Sequence, residues 1–60
     1  MLEFQIDQNV DGYTLTVTHM GDEDVFETTT AEEMKNLVWE QYRLECSVNE
    51  RTGNMRVVLA

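Results

Sequence analysis

Proline is missing from the sixty residues, cysteine and histidine occur once each, glycine three times, and lysine once beside three arginines. Each scarcity removes a class of function. The lone Cys46 has no partner for an internal disulfide, and with His19 as the only imidazole there is no thiol and imidazole set for a zinc site. His19 has no serine or cysteine at a recognisable spacing, so no catalytic constellation is present and enzymatic activity is not expected. Gly21 and Gly53 stand alone, which excludes a phosphate-binding loop. Asp22 and Asp24 could chelate a cation, but a calcium loop needs a dozen residues with regularly placed oxygens and a terminal bidentate Glu. No cofactor or metal is therefore expected. Apolar runs are too short to cross a bilayer, and Met1 is followed by Glu3 and Asp7 where a signal peptide needs a basic start, so the expected location is the cytoplasm.

What the chain has in abundance is negative charge: twelve Asp and Glu against four Lys and Arg, a formal net charge of −8. Binding to nucleic acid or to an anionic membrane asks for a basic footprint, so neither is expected. An acidic protein can instead occupy the basic groove of a protein that binds nucleic acid, because complementary fields steer the encounter. The plainer alternative is that the charge serves solubility or adaptation to salt.

Sixty residues make one domain. Leu2, Phe4 and Ile6 alternate with polar residues as in a strand with one buried face. NVDG (9–12) supplies a hairpin turn, with Asp11-Gly12 suited to positive φ. In the following strand Tyr13, Leu15 and Val17 face inward and Thr14, Thr16 and Thr18 outward. GDED (21–24) reads as the second turn, followed by a short strand, VFETT, with Phe26 inward. At Thr30 the period changes: Thr30-Ala31-Glu32-Glu33 matches a capping box. The helix it opens carries Ala31, Met34, Leu37, Val38 and Tyr42 on one stripe and ends near Arg43. Alternation then returns, with Leu44, Cys46 and Val48 inward, a turn at Arg51-Thr52-Gly53-Asn54, and Met55, Val57 and Leu59 inward. The expected fold is α+β, ordered βββαββ or βββαβ: a small antiparallel sheet with one helix packed on one face. Phe4, Leu15, Val17, Leu37, Val38 and Val57 are the expected core.

Residues 21–33, GDEDVFETTTAEE, hold six of the twelve carboxylates and no Lys or Arg. Glu32 and Glu33 complement the dipole at a helix start and need no function. Asp22, Glu23 and Asp24 exceed what a turn asks for, and Glu27 guards an edge strand against unwanted pairing. Trp39 lies off the apolar stripe, four residues from both Lys35 and Arg43. It reads either as a ring lying over their stems or as an exposed anchor of the kind enriched at interfaces. The candidate partner-binding residues are therefore Asp22, Glu23, Asp24, Glu27, Glu32 and Trp39.

Asp11-Gly12-Tyr13 opening a strand, with Thr30, Glu32, Glu33 and Met34 opening a helix, resembles the N-terminal half of HicB-type antitoxins, βββα-ordered proteins that bind a small toxin. The strand, helix, strand order with Trp39-Glu40-Gln41-Tyr42 late in the helix is similar to that of small coliphage inhibitors of RNA polymerase. Both resemblances imply a protein that acts by binding another protein. The expectation is a non-enzymatic acidic module, of the kind phages and mobile elements encode as inhibitors, that occupies a basic surface of a nucleic-acid-binding protein as a DNA mimic does. The alternative is a small regulatory or structural domain that homodimerises or binds its partner by sheet-edge pairing.

Overall fold

The computed structural model describes residues 2–59. The element order is βββαββ: β1 Leu2–Asn9, β2 Gly12–His19, β3 Asp22–Thr28, α1 Ala31–Tyr42, β4 Glu45–Val48 and β5 Met55–Val58. Strands β1, β2 and β3 form an antiparallel sheet in that order, and β4 and β5 form a separate two-stranded ladder. The α+β class is the expected one. The last hairpin does not extend the first sheet by hydrogen bonding; β5 lies beside β1, and β4 lies against the helix.

Both connections in the first sheet are two residues long. Asn9 pairs with Gly12 around Val10-Asp11, where the Asn9 side-chain oxygen accepts from the Asp11 amide at 3.0 Å. Only Gly12 of the Asp11-Gly12 pair takes positive φ, at 144°. A Cβ there would lie 2.1 Å from the Thr28 carbonyl oxygen, so glycine is required twice over.

The second connection corrects the sequence reading. Met20 and Gly21, at φ 51° and 88°, form the turn themselves, and His19 pairs directly with Asp22. Positive φ at both central residues matches a type I′ turn, whose twist suits a hairpin. Asp22, Glu23 and Asp24 are therefore strand residues, and β3 runs for seven residues instead of the five of VFETT. Methionine is a poor residue for left-handed backbone, so the sequence points to the acids, not to Met20, as the turn.

The helix begins as its capping box requires. Thr30 is extended, its hydroxyl accepts from the Glu33 amide at 3.1 Å, and Glu33 Oε1 accepts from the Thr30 amide at 3.1 Å. Arg43 ends it in a left-handed conformation, with its amide donating to the Trp39 carbonyl at 2.9 Å. In the last hairpin Gly53 alone takes positive φ, while Asn49 and Asn54 close the loop through backbone hydrogen bonds.

Leu15, Val17, Met34, Val38 and Met55 are buried, and Phe4, Leu37 and Val57 pack half-buried around them. Unbranched Met34 and Met55 take central places that the expected core assigned to Leu37 and Val57, filling gaps between helix and strands. Leu59, expected inward, lies beyond β5 and is exposed. Tyr42, at the helix end, receives Phe4 and Phe26 edge-on from the two outer strands of the sheet. Tyr13 reaches the other way, its hydroxyl donating to the Gly53 carbonyl at 3.3 Å, and so ties the sheet to the last hairpin.

Candidate protein-binding face

Because strand side chains alternate, the helix covers one face of the β1–β3 sheet and leaves the other open. On the open face the register aligns three rows: Glu3, Thr18 and Glu23; Gln5, Thr16 and Val25; Asp7, Thr14 and Glu27. A threonine ladder runs down the middle strand, and the carboxylates Glu3, Asp7, Glu23 and Glu27 stand at the four corners. From strand spacing and rise, their Cα atoms outline a rectangle of about 10 by 13 Å. The polar network on this face is modest: Gln5 donates to Asp7 at 3.2 Å, and Asn9 donates to Thr14 at 3.1 Å.

The electrostatic asymmetry is larger than residues 21–33 suggest. Nine of the twelve carboxylates and none of the Lys and Arg residues lie within residues 1–34. Lys35 and Arg43 belong to the helix end of the molecule, and Arg51 and Arg56 to the last hairpin. The strands of the sheet thus contribute negative charge alone, and the cation next to them in space is Arg56, on the strand beside β1.

The six residues singled out from the sequence do not form one surface. Glu23 and Glu27 lie on the open face. Asp22 and Asp24 alternate onto the helix side of β3, where the Asp24 charge joins burial in raising the Tyr42 hydroxyl above its usual range. Glu32 is exposed in the first helical turn, and its neighbour Glu33 is absorbed by the cap: side-chain hydrogen bonds from Thr29 and Thr30 hold its carboxyl below the ordinary glutamate value. Glu3 and Asp7 complete the acidic rectangle and were not singled out. The alternation of Leu2, Phe4 and Ile6 already turned them outward, but only the cross-strand register shows which acids they join.

Trp39 is 48% exposed, with the Arg43 guanidinium carbon 5.7 Å from its ring centroid. The ring borders a shallow groove with Lys35, Asn36, Leu44, Glu45 and Cys46. Burial pushes the Cys46 thiol up, against a smaller opposing effect of Lys35. That groove is lined by Lys35 as well as Glu45, with Arg43 over the Trp39 ring, and so differs in charge from the sheet face. Among the described residues no three His, Cys, Asp or Glu side chains converge as metal ligands would. No helix there is long and apolar enough to cross a membrane.

The chain matches no protein-family model, no curated protein and no solved structure.

Proposed function

We propose that this protein is a non-enzymatic binding module whose open sheet face docks on a basic surface of a nucleic-acid-binding protein. The observation that carries the reading is the acidic rectangle Glu3, Asp7, Glu23 and Glu27 around the threonine ladder, on a segment without one Lys or Arg. Carboxylates held apart on a rigid sheet present a fixed array of negative charge. A surface evolved to grip a nucleic acid backbone would be drawn to them by the same field. The resemblances to HicB-type antitoxins and small phage inhibitors support the same class of action, with an intracellular target of a phage or mobile element as the setting.

The test is competition. Immobilised protein is compared with the variant Glu3→Gln, Asp7→Asn, Glu23→Gln and Glu27→Gln, whose exposed changes should leave the fold intact. Proteins held by the parent at low salt should be released by duplex DNA and by raised salt, and the variant should not retain them. A variant that captures the same proteins would sink the reading.

A second reading, pairing through a sheet edge, draws on the position of β3 at the end of the sheet order. It does not favour a homodimer through that edge. In the antiparallel register that uses the whole strand, Glu23 of one copy stands opposite Glu27 of the other, and like charges directly opposite are destabilising.

A further inference from the structure

A two-residue connection makes His19 and Asp22 a hydrogen-bonded pair, since no wider pairing can close around two residues. Alternation then gives the same character to Val17 with Asp24, Leu15 with Phe26 and Tyr13 with Thr28. The amides and carbonyls of Glu23, Val25 and Glu27 consequently point away from β2, toward an edge where no strand pairs among the described residues. These three residues also place their side chains on the open face. Val25 is 59% exposed between the two glutamates.

We propose that this edge of β3 takes up an extended basic segment of the partner as an added strand, with Lys or Arg two residues to either side of an apolar residue. The proposal rests on the acidic-face reading and specifies how contact is made. In an antiparallel addition, residues directly opposite Glu23, Val25 and Glu27 project onto the same face, so the matching pattern is basic, any, apolar, any, basic. The pattern is symmetric about Val25. Backbone bonds supply the docking and the two glutamates supply the selection. The same charges repel acidic strands, including a second copy of this chain, and give a neutral strand no charge pairing.

The experiment uses the intact protein, isotope-labelled for NMR, and the blocked peptide Thr-Lys-Thr-Val-Thr-Lys-Thr. The peptide should slow solvent exchange at the Glu23, Val25 and Glu27 amides, and its binding should weaken as salt is raised. Methylating the nitrogen of its central valine removes a backbone donor without touching its charge, and should weaken binding at least about tenfold, since a blocked donor disrupts the added ladder. Replacing both lysines with glutamate should abolish binding. On the protein, Val25→Pro removes an outward amide that β2 does not use, and should cost binding while the β2–β3 ladder persists. An N-methyl peptide that binds equally well, perturbing Glu3 and Asp7 as much as β3, would overturn the added strand and leave the acidic face standing. Perturbations centred on Trp39, or no binding by any peptide while the DNA-competable capture persists, would also overturn it.

Discussion

Tyr42 meets Phe4 edge-on, with 5.1 Å between ring centroids and 79° between planes, so the last turn of the helix is fastened to the first strand. Such pairs contribute about 0.5–1.5 kcal/mol beyond buried area. A double-mutant cycle with Phe4→Leu and Tyr42→Leu should give a coupling energy of that size by chemical denaturation. Strict additivity would show that the ring contact contributes nothing specific.

The Tyr42 hydroxyl also supplies a pH test. Burial, then Asp24, raises it in the folded state, so the fold favours the protonated form. Its contribution is fully present below the unfolded tyrosine value and is lost as pH rises through the folded one. Tyr42→Phe should consequently lose less stability than the parent across the alkaline range. Equal alkaline losses in the two proteins would dismiss this residue as the cause.

At the helix start the sign reverses. Glu33 is held low by Thr29 and Thr30, so its contribution is present above the unfolded glutamate value and disappears as pH falls through the folded one. The difference in Tm between parent and Glu33→Gln should be evident near neutrality and vanish in acid. Thr30→Ala should cost about 0.5–2 kcal/mol, the ordinary range for a lost helix cap.

Met20 offers a gain. It sits at φ 51° with its side chain almost wholly exposed, so it bears the strain of left-handed backbone without compensating burial. Met20→Asn should stabilise the protein by up to about 1 kcal/mol, because Asn-Gly suits a type I′ turn. Gly12→Ala, by contrast, should destabilise it severely through the collision with Thr28. An unchanged Tm in Met20→Asn would mean that the turn carries little strain.

With nine carboxylates and no Lys or Arg in residues 1–34, self-repulsion opposes folding. Moderate NaCl should raise Tm, since screening sets in at a Debye length of about 10 Å near 0.1 M. The quadruple open-face variant should show a smaller salt response. A parent whose Tm falls with added salt would contradict self-repulsion among these acids.

Local chemistry was legible in the sequence wherever neighbours along the chain decide the outcome. The Thr30–Glu33 box announced the helix, and the alternations around Phe4, Leu15 and Met55 announced strands, because each depends on spacings that the backbone enforces within a few residues. The exposure of Trp39 followed from the same helical geometry. The turn at Met20-Gly21 was hidden because methionine carries no turn signal, and that shift moved Asp22, Glu23 and Asp24 out of a loop and into a ladder. Once they belong to a strand, adjacent acids must point to opposite faces, and only pairing with β2 and β1 determines that Glu23 and Glu27 join Glu3 and Asp7. Sequence by itself determined the elements, the capped helix and the excess of negative charge. Tertiary structure alone decided which charges share a face, because cross-strand register is set by where the chain reverses and by which apolar side chains the helix buries.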